Sequence, residues 1–94
     1  MAKLHITELS GLAGVMQIPQ MPPITEQAMD IGATSSASSA FNASTRFVCL
    51  TAKADCHIAI GADPTATAGK MPLTAGQAYY FGVTAGHKIA VIAA

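Results

Sequence analysis

Hydrophobic and polar positions alternate most regularly in the second half of the chain. From residue 45 onward apolar side chains recur at nearly every second position, the spacing of a strand with one buried face. Taking Ala52-Lys53 as a two-residue loop pairs Thr45–Leu50 with Cys56–Ile60 as a hairpin. Cys49 then stands opposite Cys56, Val48 opposite His57 and Phe47 opposite Ile58. This register predicts Phe47, Cys49, Cys56 and Ile58 on the core face, with Arg46, Val48, His57 and Ala59 on a mixed face. The loop has neither the Asn-Gly nor the Asp-Gly of a tight primed turn. A second hairpin, Gln77–Val83 with His87–Ile92, flanks Thr84-Ala85-Gly86, where Gly86 suits a left-handed position. It sets Phe81 against Ile89 and Tyr79 against Val91, with Tyr80, Gly82, Lys88 and Ala90 on the other side. Between the hairpins, turn signals at Gly61-Ala62-Asp63-Pro64 and Thr74-Ala75-Gly76 enclose a short run, Lys70–Leu73.

The first half is less regular. Lys3-Leu4-His5-Ile6-Thr7 alternates briefly, after which residues 1–33 become irregular and punctuated by Gly and Pro. A helical turn over residues 9–16 is weakened by Gly11 and Gly14. Val15 to Ile24 is apolar yet broken by Pro19, Pro22 and Pro23, which remove backbone donors and favour extended chain. Such a stretch lies either over its own domain or as an arm on a neighbour. The arm reading makes Met16, Ile18, Pro19, Met21, Pro22, Pro23 and Ile24 the candidate assembly contacts, and residues 1–23 dispensable for folding the rest. Residues 34–44 are small and polar, suiting a linker or a soft edge strand. The expected fold is all-β: one domain over residues 1–94, a small antiparallel β-sandwich or jelly roll with an extended, Pro-containing N-terminal arm.

Composition points to a protein that relies on partners. Charged residues are 11% of the chain, against roughly 25% in an average soluble domain. Three Phe, two Tyr and no Trp make a thin core, and oligomerisation is one remedy for a small domain. The expectation is therefore a homo-oligomer. The five cations are scattered and the formal net charge is zero, which argues against nucleic acid and anionic membranes as partners. No apolar run approaches the roughly 20 residues of a bilayer span, and no long apolar segment resembles a signal peptide. The chain is expected to be made in a reducing cytoplasm.

Candidate chemistry is sparse. Cys49 and Cys56 with His57 invite a metal reading, but zinc needs three or four converging ligands and His57 lies on the opposite face of its strand from Cys56. In the hairpin register the two cysteines stand within disulfide range; core positions and a reducing compartment favour two free, buried thiols instead. The carboxylates Glu8, Glu26, Asp30, Asp55 and Asp63 show no pairing, and no nucleophile elbow, phosphate loop or dinucleotide fingerprint occurs. No cofactor and no enzymatic activity are expected. Tyr79 and Tyr80 suit either an edge-strand interface or the stacking platform of a small lectin.

The order of segments resembles small proteins encoded near the capsid gene of tailed bacteriophages. The resemblance runs through Glu8–Ala13, Gln17–Pro23, Phe41–Val48, Ala54–Gly61, Asp63–Thr67, Ala75-Gly76 and Tyr80–Val83, covering nearly the whole chain in pattern and order. It implies a virion component of the capsid decoration or cement type: a β-sandwich that forms a homotrimer, bound to the major capsid protein on the capsid surface. It carries over no catalytic residues. The alternative is a small carbohydrate-binding or host-adhesion module of the same particle, as a head-fibre or tail accessory.

Overall fold

Alternation that continues unbroken through a turn decides how this chain folds. Along residues 47–58 every even position faces inward: Val48, Leu50, Ala52, Cys56 and Ile58 are buried and Ala54 packs against them. The chain bends between Ala52 and Cys56 without changing which side is apolar. It leaves one sheet and enters the other instead of folding back beside itself.

The computed structural model describes residues 2–10 and 23–94. Among these there is no helix, and eight strands form two four-stranded antiparallel sheets. They are β1 (Lys3–Leu9), β2 (Thr25–Asp30), β3 (Ser36–Ala37), β4 (Phe47–Ala52), β5 (Cys56–Gly61), β6 (Met71–Leu73), β7 (Ala78–Gly82) and β8 (Lys88–Ala93). The first sheet has the order β2-β1-β4-β7 and the second β3-β8-β5-β6. The arrangement is a small β-sandwich. From the first sheet Leu4, Ile6, Met29, Val48 and Leu50 meet Cys56, Ile58, Leu73, Ile89 and Val91 from the second, while Ile31 and Phe41 join from the connections.

Neither expected hairpin forms. β4 pairs with β1 and β7, so Cys49 lies beside Thr7 and Tyr80; β5 pairs with β8 and β6, so Cys56 lies beside Ala93 and Leu73. β7 and β8 are likewise split between the sheets. Tyr79, Phe81 and Val83 do share the apolar side with Ile89 and Val91, but they meet them across the core, not along a ladder. The first hairpin also had the wrong face for β4, because Val48 and Leu50 are buried whereas Phe47 and Cys49 lie half-buried on the outside. Pairing within one sheet would have left its neighbour without a matching apolar layer.

Gly86 does hold the left-handed conformation its turn requires, at φ 84°. Its N–H donates to the Phe41 carbonyl at 3.1 Å, and the Phe41 N–H donates to the His87 carbonyl at 2.8 Å, so this turn holds Phe41 in the core. β1 is an interior strand of the first sheet and supplies Leu4 and Ile6. Residues 1–23 therefore cannot be removed without opening the sheet. β2 was not foreseen; its outward Glu26, Ala28 and Asp30 disguise a strand whose inward Met29 reaches the core.

The outer face of the second sheet is covered by its own chain. Ala37, Ala90 and Ala59 form a cross-strand row of small side chains. The connection from β5 to β6 runs back across this sheet, and the Ala66 N–H donates to Ser35 Oγ at 2.9 Å. Ala66 and Ala90 are both buried as a result.

Candidate interaction surface

The outer face of the first sheet has no such cover from residues 62–70. The odd positions of β4 and the even positions of β7 point there, giving the rows Thr7–Cys49–Tyr80, Leu9–Phe47–Gly82 and His5–Thr51–Ala78, of which Leu9 is itself buried. Among these nine residues none is Asp, Glu, Lys or Arg. Phe47 and Tyr80 meet diagonally, ring centroids 6.5 Å apart and planes tilted by 42°. Tyr80 is 56% exposed. The neighbouring Cys49 side chain, and after it partial burial, push the Tyr80 phenol above its ordinary pKa. The phenol thus stays a neutral donor and acceptor well into the alkaline range. Gly82 opens space beside Phe47, since a Cβ there would meet nothing within 4 Å.

β7 is also the free edge of this sheet. The Val83 N–H donates to the Arg46 carbonyl at 3.1 Å, continuing the ladder. In an antiparallel pair alternate residues bond to the same neighbour, so Tyr79 and Phe81 spend their backbone groups on β4. Those of Ala78, Tyr80 and Gly82 point away from it. The other edges are guarded in familiar ways: β2 carries Glu26 and Asp30, β3 is two residues long, and β6 contains Pro72. β7, Ala-Tyr-Tyr-Phe-Gly, carries none of these protections.

At one end of the sandwich lies an open pocket of about 620 Å³. Ser10, Ser44 and Thr84 bring hydroxyls to it, Arg46 a cation and Val83 an apolar wall, while Thr45 lines it with its hydroxyl turned inward to Glu8. Asn42 shapes one rim, its Oδ1 accepting from the Ser44 N–H at 2.9 Å and its carbonyl from the Thr45 N–H at 3.0 Å. Beneath that rim sits Glu8, fully buried. Its Oε1 accepts from the Asn42 N–H and the Thr45 hydroxyl, both at 2.8 Å, and its Oε2 accepts from Gln27 Nε2 at 2.9 Å. Gln27 Oε1 in turn accepts from the Ser39 N–H at 3.1 Å. A buried carboxylate met by three donors acts as a clasp, fastening residues 38–45 to β1 and β2.

The candidate residues of the sequence fall unevenly. Met16, Ile18, Pro19, Met21 and Pro22 lie outside the described residues. Pro23 and Ile24 are half-buried, and the Ile24 N–H donates to the Glu8 carbonyl at 2.8 Å, leading into β2. They sit at the opposite edge of the first sheet from Tyr80, with β1 and β4 between. Both cysteines are free, Cys49 half-buried outside and Cys56 in the core. Burial, and after it the adjacent Asp55 charge, raises the Cys56 thiol above its ordinary pKa. Among the described residues no three His, Cys, Asp or Glu side chains converge as metal ligands. The clasp escaped sequence reading, although Leu4, Ile6 and Glu8 share one phase of an alternating strand. No family model, curated protein or solved structure matches this chain.

Proposed function

We propose that the protein is a structural virion subunit, a capsid decoration or cement protein that stabilises a phage head by binding across capsid subunits. The observation that carries this reading is the aromatic outer face formed by β4 and β7, which bears no charged side chain, whereas Lys3, Glu26 and Asp30 lie toward the β2 edge. Interface cores are depleted in charge and enriched in Tyr and Phe, and Thr7, Phe47, Cys49 and Tyr80 make such a patch beside an unguarded strand. The resemblance supplies the partner, a major capsid protein, and the location, the capsid surface; it also implies a homotrimer. The strand order supports reading the sandwich as a jelly roll, in which β2 to β8 form two Greek keys, crossing between the sheets at every connection except β5–β6, and β1 fills the place beside β2 and β4. That architecture hosts viral capsid proteins and lectins alike, so it bears on the reading by analogy only. The apolar, proline-broken sequence from Met16 to Ile24 adds a candidate arm to the contact.

Co-sedimentation with purified capsid shells tests the proposal. Wild-type protein should pellet with shells in many copies per particle. Thr7→Lys and Thr51→Lys place a charge on the outer face away from the free edge; each should fold by circular dichroism and lose binding. Undiminished binding by both would remove the outer face from the contact. The hydroxyl-lined pocket with Arg46 favours a second reading, a carbohydrate-binding adhesion module. Saturable shifts of Thr45 and Thr84 amide resonances on adding saccharides, with no shell binding, would establish that reading in its place.

A further inference from the structure

We infer that β7 is a self-complementary edge through which two copies of this chain join, β7 against β7, into one continuous eight-stranded sheet. The inference does not depend on the capsid reading, because the seam requires only a second copy. It rests on three matches along the five residues Ala78-Tyr79-Tyr80-Phe81-Gly82.

The first match is in hydrogen bonding. The residues whose N–H and C=O groups face away from β4 are Ala78, Tyr80 and Gly82. An antiparallel partner centred on Tyr80 sets Tyr80 opposite its own copy and Ala78 opposite the copy's Gly82. These are the residues that exchange both bonds with a direct opposite in such a ladder, so every outward group of the strand is satisfied at once. The second match is in size. The order small, aromatic, aromatic, aromatic, small reads the same in either direction, so a two-fold axis places small residues against small ones and Tyr79 against the copy's Phe81. Tyr79 and Phe81 stack along the strand with centroids 6.3 Å apart and planes within 5°, and both are only half-buried. A copy laid beside them covers the flank the edge leaves open, extending two stacked rings to four.

The third match is in charge. β7 holds no ionisable group other than its phenols, so the two-fold arrangement opposes no like charges. A copy paired to itself through β2 would bring Glu26 and Asp30 of both chains to one seam. β6 has lost a donor at Pro72, and β3 is too short. A two-fold contact of this kind is closed, since it consumes the only unguarded edge of each copy among the described strands and does not propagate. It differs from the homotrimer implied by the resemblance, and the mass of the assembly distinguishes the two. The seam is short, so the association should be reversible and concentration-dependent.

Sedimentation equilibrium over a wide concentration range, together with cross-linking, tests this. Wild-type protein should approach twice its 9.6 kDa mass at high concentration. Ala78→Pro removes one outward donor at the first strand position, where proline is tolerated, and Tyr80→Lys sets two ammonium groups together at the axis. Both variants should keep the wild-type circular dichroism spectrum and melting behaviour of the monomer, and remain monomeric. Register is read with single cysteines on a Cys49→Ser background. Tyr80→Cys should yield a disulfide-linked dimer on mild oxidation, because directly opposed residues stand about 5.5 Å apart at Cα. Ala78→Cys should not, because its copy lies about 13 Å away, four residues along the strand. A wild-type protein that is monomeric throughout, a three-fold mass, dimers that survive both edge variants, or Ala78→Cys linking as readily as Tyr80→Cys would each overturn the proposal.

Discussion

The two sheets share one core but treat their other surfaces differently. The second sheet finishes itself: Ala37, Ala59 and Ala90 lie flat, the β5–β6 connection folds back over the sheet, and its edges end in Pro72 or after two residues. Its inner face is apolar throughout the strand centres, with Ile58, Leu73, Ile89 and Val91. The first sheet is different on each count. It builds a buried carboxylate into its inner face at Glu8, turns Phe47 and Tyr80 outward, and leaves β7 with unprotected backbone groups. Among the described residues, one sheet covers its outer face with its own chain and the other turns aromatic side chains outward. Aromatic area on the outside is a liability for a free monomer and an asset for a subunit, so its confinement to one sheet gives the molecule a direction.

The two faces of the first sheet should differ most in their contribution to stability at Glu8. Glu8→Ala strands the Gln27 amide, the Asn42 N–H and the Thr45 hydroxyl together, at a cost of about 3 kcal/mol or more. Glu26→Ala, on the exposed outer face of the same sheet, should cost less than about 0.5 kcal/mol. Urea denaturation of both variants checks this; equal, small losses would mean the clasp contributes nothing to holding residues 38–45.

Thiol chemistry sharpens the contrast between outside and core. Cys49 should react with a thiol reagent in the folded protein, whereas Cys56 should react only on unfolding, with rates differing by roughly tenfold or more. Mass spectrometry after timed labelling identifies which residue carries the adduct. Protection of both thiols would show the outer face of the first sheet to be covered in solution. That result would remove the distinction between the sheets.

The smallest effect is expected at the guarded edge. Lys3 Nζ lies 2.6 Å from Asp30 Oδ1, and that hydrogen bond, with the Lys3 charge behind it, holds the Asp30 carboxyl below the usual carboxylate pKa. Folded protein therefore releases this proton at lower pH than the unfolded chain. The resulting stabilisation is complete above the ordinary value and disappears as pH falls through the lowered one. Both side chains are about half exposed, so salt should weaken the pair further. Asp30→Asn should melt slightly below wild type at neutral pH and together with it in strong acid, as thermal melts across the pH range would show.

Much of the strand content was legible in the alternation, and much of the topology was not. Cys56 and Ile58, and the Tyr79-Phe81-Val83 and Ile89-Val91 sets, fall on the apolar side the sequence indicates. The reading failed at β4, where Phe47 and Cys49 looked more like core than Val48 and Leu50. The longer run held the answer: even positions from Val48 to Ile58 are all apolar, whereas the odd series turns to Thr51, Lys53, Asp55 and His57. A two-residue hairpin loop would have exchanged the faces; a bend between sheets preserves them. Which partner a strand takes is set by the packing of two sheets, and local spacing does not contain it. Glu8 was hidden for a related reason, since its three donors come from residues 19 to 37 positions away.

Because the chain passes between sheets at five of the seven connections between its described strands, its order of synthesis conflicts with its order of assembly. Among the described strands, only β1–β2 and β5–β6 are seams between strands consecutive in sequence. β8, which follows all the other strands, lies between β3 and β5 and must be inserted before either can rest. Until it emerges from the ribosome, Cys56-His57-Ile58-Ala59-Ile60 presents an apolar strand with no partner on that side. Long-range pairing of this kind makes refolding slow and exposes intermediates to aggregation. The nascent chain is therefore the vulnerable form of this protein, and its yield in a cell should depend on translation rate and chaperone supply more than on the stability of the finished sandwich.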